Sequence, residues 1–181
     1  MIVFPKGTGG FLNPEEIMDD FGLKNGMNVA DFGCGHGYFA FPIARKIQPD
    51  GSVIALDILE SAIDSIESRK KLEGLFNITT KRCDLEREGG SGLPNESQDL
   101  VLVANLLFQV DNEANIIKEA KRILKPGGTL IIIDWIENSS VGPVGKRVPK
   151  EKAKNLAEKF GFSLEREIKA GDYHYGLFFK K

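Results

Sequence analysis

At 181 residues, with 41% hydrophobic and 28% charged residues and a formal net charge of -2, the chain suits one α/β unit with a substantial core. That balance carries no nucleic-acid signature, no apolar run approaches the ~18 residues of a membrane span, and residues 1–7 lack the basic-then-apolar layout of a secretion signal. The two cysteines, Cys34 and Cys83, have no metal-binding spacing and read as small buried side chains in a reducing, cytoplasmic setting.

The first element is a helix start at Asn13-Pro14-Glu15-Glu16, with Asn as N-cap and Pro at the first position. Residues 1–22 are expected to form an N-terminal helix and lid, with Phe4 and Phe11 as its aromatic contacts. A strand at 27–31 is followed by a helix at 38–47, with Pro42 in the first turn, where its missing N–H costs little. A second strand spans 52–57. The helix after it, 60–73, sets Ile63, Ile66 and Leu72 on one face and stops at Gly74.

A third strand at 77–82 is rich in β-branched Ile78, Thr79 and Thr80. Residues 86–98, rich in Gly, Ser and Asn, read as a loop where a crossover helix is reduced or absent. The fourth strand, 99–104, is apolar on both faces and therefore central. A helix at 112–124 is stopped by Lys125-Pro-Gly-Gly128, ahead of a fifth strand at 129–135. Lysines and glutamates alternate through the next helix, 149–160, as on a solvated face. Two strands at 162–169 and 173–180 are joined by Ala170-Gly171-Asp172 alone, too short for a parallel crossover, so they pair antiparallel.

Strands alternating with helices imply a mostly parallel sheet covered on both faces, and ligands of such sheets sit outside the C-terminal strand ends. Four polar residues fall there. Asp31 ends the first strand, Asp57 the second, Asp84 follows the third and Asn105 the fourth. Between Asp31 and Tyr38, Gly33, Gly35 and Gly37 recur at every second position, so the backbone is open to close approach. Asp57, twenty residues past Gly37, suits the two hydroxyls of a ribose. The third glycine comes one residue too early for a dinucleotide fingerprint. Asp31 would repel a pyrophosphate and welcome a cationic amino-acid group. An antiparallel C-terminal pair is foreign to dinucleotide folds.

Together these residues resemble the class I S-adenosylmethionine-dependent methyltransferases, over residues 25–181. The ubiquinone/menaquinone-biosynthesis-like, type 11, subgroup is the nearest in character, with Gly161-Phe162 and Tyr173-His-Tyr-Gly-Leu177 fitting it. The resemblance implies one domain over 1–181, Rossmann-like, with a seven-stranded sheet in the order 3-2-1-4-5-7-6, the last strand antiparallel, and the C-terminal strand pair at 162–180. It implies S-adenosyl-L-methionine as cofactor and no metal. Asp31, Gly33, Gly35 and Gly37 would form the first motif, and Asp57, with Ile58, the ribose-binding segment. Asp84 and Leu85 would contact adenine, and Asn105 would face the sulfonium and the acceptor. The turn at 124–130 is structural.

A chain nearly without insertions leaves an open pocket bounded by the N-terminal segment, residues 105–109 and residues 139–149, suited to a small-molecule acceptor or to a protruding side chain of a macromolecule. Candidates for a catalytic role are Tyr38, Asn105 and His174, where strand alternation sets His174 and its tyrosine neighbours on opposite faces. His36 reads as a solvent-facing turn residue or a neighbour of the cofactor carboxylate. Lys146 and Arg147 would suit an anionic acceptor, or are mobile loop charges. Two other classes stand beside the transferase. A non-catalytic cofactor-binding or partner module is motivated by the small size. A nicotinamide oxidoreductase is disfavoured by the glycine spacing and by Asp31. Acceptor atom, general base and oligomeric state are not encoded in any recognisable motif.

Overall fold

A computed structural model describes residues 12–181. Among them the apolar runs form seven strands: β1 (Asn28–Phe32), β2 (Ser52–Asp57), β3 (Ile78–Arg82), β4 (Gln98–Ala104), β5 (Leu124–Trp135), β6 (Ser163–Lys169) and β7 (His174–Lys180). They make one sheet in the order β3-β2-β1-β4-β5-β7-β6. β1 pairs in parallel with β2 and β4, β2 with β3, and β4 with β5. β7 pairs antiparallel with both β5 and β6, so it alone runs against the rest. The order and the reversed strand are those expected from the sequence.

The helices are α1 (Pro14–Ile17), α2 (Ala40–Lys46), α3 (Glu60–Glu73), α4 (Glu113–Ile123) and α5 (Lys150–Lys159). α1 is a single turn, capped by the Asn13 side chain accepting from the Glu15 amide, and continues as a 3-10 turn at Met18–Phe21. Phe4 and Phe11 lie outside the described residues. α2 starts two residues later than expected, because Phe39 serves as its N-cap and Tyr38 stays in the turn.

Alternation along the strands builds two apolar layers. Val29, Ala55, Leu102 and Ile133 pack against Phe41 and Ile43 of α2 and Ile66 of α3. Ala30, Phe32, Val103 and Ile132 pack against Ile116 and Ile123 of α4 and Ala153 and Ala157 of α5. Leu100 to Val103 are wholly buried, as a central strand requires.

Two segments depart from simple patterning. Residues 125–128 stop α4 as expected, yet the chain stays extended and β5 begins at Leu124. Gln98 pairs with Leu124 and Leu100 with Thr129, so Pro126, Gly127 and Gly128 are accommodated as a bulge. Residues 86–97 hold no helix, and a buried clamp fixes them instead. The Glu119 carboxylate accepts from the Ser91 amide (3.0 Å), from the Ser91 hydroxyl, and from Arg122 Nε (2.9 Å) and Nη2 (2.6 Å). Arg122 Nη1 in turn donates to the Leu93 carbonyl (2.8 Å) and Asn95 Oδ1 (2.7 Å). Burial pushes the Glu119 carboxyl up, but the bonds from Arg122 and Ser91 outweigh it and hold the group below the usual carboxylate range.

Candidate functional site

β1 ends at Phe32 and the chain turns into α2 through three glycines, all with positive φ. Two of them are required by packing. A Cβ at Gly33 (φ 68°) would sit 2.8 Å from Leu106 Cδ1, and one at Gly37 (φ 81°) 2.6 Å from the Phe41 ring. The first contact joins the turn to the segment after β4. The Gly33 and Cys34 amides both donate to the Leu56 carbonyl, at 2.8 and 3.0 Å, which ties the turn to β2.

Asp57, at the end of β2, sits against this turn. Its Oδ2 accepts from the Gly35 amide and its Oδ1 from the Leu59 amide, both at 2.9 Å. Each oxygen keeps a second lone pair. Asp31 is buried at the end of β1, and its Oδ2 has no partner among the described residues. Burial first, and then the charge of Asp57, push its carboxyl up to about 7, partly offset by the Ala40 amide at the start of α2.

Asn105 follows β4 with φ 53°, a left-handed conformation that a non-glycine residue rarely adopts. Its amide donates to the Ile133 carbonyl (2.8 Å), its carbonyl accepts from Gln109 Nε2 (2.5 Å), and its buried Oδ1 is unpartnered among the described residues. Asp84 is half-buried. Its Oδ1 accepts from the Glu86 amide and its Oδ2 from Arg87 Nε, both at 3.0 Å. Thus Asp31, Gly33–Gly37, Asp57, Asp84 and Asn105 all lie along the C-terminal strand edge.

Other expected residues behave differently. Leu85 is buried in the layer under α4, so its side chain is not open to a ligand, whereas Ile58 and its neighbour Leu59 are exposed. Tyr38 is half-exposed, and its hydroxyl donates to the Leu12 carbonyl (2.5 Å), tethering the N-terminal segment beside the turn. His36 is exposed, and Cys34 is buried with its thiol pushed well up by burial and by Asp31 and Asp57. Alternation leaves open whether His174 or the tyrosines face the core. His174 and Tyr175 point to opposite faces but both are buried, because β7 lies between β5 and β6 with packing on each side.

Lys146 and Arg147 are not available to an anionic acceptor as drawn from the sequence. Lys146 Nζ lies 2.8 Å from Glu113 and donates to the Val110 carbonyl (2.6 Å). Arg147 donates to the carbonyls of Ile136, Glu137, Ser139, Val141 and Pro143, at 2.8 to 3.4 Å. It thereby fixes the loop after β5, which lies over Trp135, the chain's single tryptophan. Arg147→Ala is expected to reduce stability by about 1–2 kcal/mol and shift Trp135 emission to the red. Fluorescence and thermal melts check both, and unchanged emission would remove this role.

Sequence reading missed Asp134. It is fully buried near the end of β5, opposite Tyr175 in the sheet register, with Oδ1 accepting from the Trp135 amide (2.8 Å). Burial pushes its carboxyl up to about 6, against the amides of Trp135, Phe108 and Leu107. An aspartate closing an apolar run was the available signal, the same that marked Asp31. A cleft of about 510 Å3 opens beside this region, lined in part by Ile136, Ile168, Ala170 and His174. The glycine turn contributes nothing to it.

Comparison with known proteins adds the following. The family described as "Methyltransferase domain" matches residues 23–175. A ubiquinone/menaquinone biosynthesis C-methyltransferase, UbiE, of Bordetella parapertussis is 31% identical over 166 residues, which are 82% of this chain and 62% of that protein. The chain therefore spans less than two thirds of that relative's length. A SAM-dependent methyltransferase from Aquifex aeolicus superposes with a TM-score of 0.82 at 25% identity, covering 97% of this chain and 93% of that one. The [4+2]-cyclase SpnF shares the fold at a TM-score of 0.79 and 16% identity, covering 93% of this chain and 79% of that one.

Proposed function

Because the chain belongs to the class I S-adenosylmethionine-dependent methyltransferases, we propose that its strand-end residues hold S-adenosyl-L-methionine and present a small-molecule acceptor to it. The observation that carries this reading is the buried Asp31 Oδ2, unpartnered among the described residues, beside a glycine turn with no room for a side chain at Gly33 or Gly37. An ammonium group is the natural partner of such a carboxylate. The residues present fit the cofactor.

When bound, the cofactor supplies a methyl group already activated by a sulfonium. Asp57 accepts the ribose hydroxyls on the lone pairs that Gly35 and Leu59 leave free. Exposed Ile58 and Leu59 offer apolar surface to a base, and Asp84 offers it an acceptor. Asp31 receives the α-ammonium. Asn105, with a free Oδ1 held by a constrained backbone, faces the reacting end. In-line displacement depends chiefly on alignment and exclusion of water, which these fixed groups supply.

Calorimetry with S-adenosylhomocysteine tests the reading, and absence of binding to the wild-type protein overturns it. The named relative methylates in quinone biosynthesis, which makes an uncharged ring compound a candidate acceptor here. A non-catalytic cofactor-binding module that keeps the fold is the second reading, motivated by the small size of the chain. Transfer of a labelled methyl group into any component of a metabolite extract decides between them. No described helix is long and apolar enough to cross a membrane, and the free cysteines Cys34 and Cys83 suit a cytoplasmic location.

Asp31 gives a pH signature. Its folded value of about 7 lies above the ordinary 3.8, so the folded protein holds this proton more tightly than the unfolded chain. Its contribution to stability is fully present below pH 3.8 and is lost as pH rises toward 7. Ligand binding runs the other way, because only the ionised carboxylate pairs with an ammonium. S-adenosylhomocysteine affinity is expected to rise between pH 6 and 8. Asp31→Asn is expected to melt higher than wild type at pH 8, yet bind roughly tenfold more weakly. Melting curves and calorimetry across this range check both signs.

A further inference from the structure

The methyl-donor site uses the edge from β3 to β4. The same edge continues over β5 and β7, where Trp135 and His174 face each other directly in the register. Their rings lie 4.0 Å apart, tilted by 40°. By alternation they share the face of Asp31, two or three strand spacings across and four residues further along the strands, which is roughly 16–20 Å away. An acceptor would occupy this region.

His174 is 4% exposed, and neither ring nitrogen has a hydrogen-bond partner among the described residues. A histidine that served packing alone would be expected to satisfy at least one of them. Trp135 covers the imidazole on one side. Gly142 presses against the indole, where a Cβ would collide with it. The Arg147 bonds to loop carbonyls and the Ser139–Val141 turn bonds hold that loop against the indole. Beside the pair, the cleft of about 510 Å3 includes His174, Ile136, Ile168 and Ala170 in its walls.

We propose that Trp135 and His174 form a covered acceptor subsite, in which Trp135 lifts away and the imidazole hydrogen-bonds the hydroxyl of a flat, uncharged acceptor. The chemistry of the surroundings selects that class. The cleft beside the pair is lined by three carboxylates, Glu137, Glu151 and Glu167, against two lysines, Lys150 and Lys169, so no excess of positive charge favours an anion. Burial depresses the His174 value to about 4, which keeps the ring neutral with one N–H and one lone pair. A hydroxyl, itself donor and acceptor, complements either tautomer. An indole face suits a planar ring.

The proposal rests on the methyltransferase reading for its role but is tested separately from it. Phenol and anisole, a matched pair differing in the hydroxyl proton, are titrated against Trp135 emission with and without S-adenosylhomocysteine. Phenol is expected to change the emission saturably and to bind roughly tenfold better than anisole. His174→Phe keeps the ring and removes both nitrogens. It is expected to melt at least as high as wild type and to lose the preference for phenol, while His174→Gln restores part of it. No response to phenol, equal affinity for anisole, or a preference that survives in His174→Phe overturns the subsite. Failure to bind S-adenosylhomocysteine, with the phenol preference intact, would instead overturn the cofactor reading.

Discussion

Asp57→Ala is expected to weaken S-adenosylhomocysteine binding by about a hundredfold or more. Two losses combine in this one substitution. The ribose hydroxyls lose a charged acceptor, and hydrogen bonds to charged groups contribute about 1.5–3 kcal/mol each. The Gly35 and Leu59 amides, both 2.9 Å from the carboxylate, lose their acceptor as well, so the glycine turn slackens around the ligand. Asp57→Asn keeps one carbonyl oxygen and is expected to fall between wild type and alanine. Calorimetry on all three proteins, with melting curves to confirm folding, checks the order. An alanine variant that binds within threefold of wild type would falsify the assignment of Asp57 to the ribose.

Arg122→Ala is expected to destabilise the protein by about 3 kcal/mol, since it strands a buried carboxylate and releases the 86–97 loop. For a chain of this size that corresponds to a fall of roughly 6–12 °C in Tm. The pH dependence has a distinctive sign. In the wild type, Glu119 is held below the ordinary 4.5, so its stabilisation is complete above that value and is lost as pH falls through the depressed folded value. Without Arg122 only burial and Ser91 act, and the carboxylate becomes a liability when ionised. The deficit of the variant is therefore largest near pH 7 and narrows toward pH 5, where the group takes up a proton. Urea unfolding at the two pH values measures it, and an equal deficit at both would remove Glu119 from the explanation.

Much of the molecule is legible in the order of its residues. The sheet and its strand-end polar groups follow from apolar runs broken by glycine and capped by aspartate, signals that are local. What escaped was decided by contacts distant in sequence. Arg147 looks like a free cation until the loop carbonyls of residues 136–143 close around it. Tyr38 looks like a free hydroxyl available for a catalytic role until it meets the carbonyl of Leu12. Alternation sorts His174 and Tyr175 to opposite faces, but it cannot tell that both faces of β7 are covered. Residues 125–128 carry a true stop signal for α4, while the continuation of β5 depends on pairing with β4. Asp134 obeyed the rule that marked Asp31 and was passed over because its strand had no glycine turn after it.

The grip of two backbone amides on Asp57 has a kinetic consequence. The carboxylate that would meet the nucleoside is oriented by the protein's own backbone, and in gripping it the turn is itself braced. Loading of the donor would then be a docking onto a finished surface, with little waiting for rearrangement. Three strands away, an acceptor must wait for an indole to move. One edge of the sheet would thus receive its two ligands on different clocks, and the order of arrival would be set by which side chain is already held.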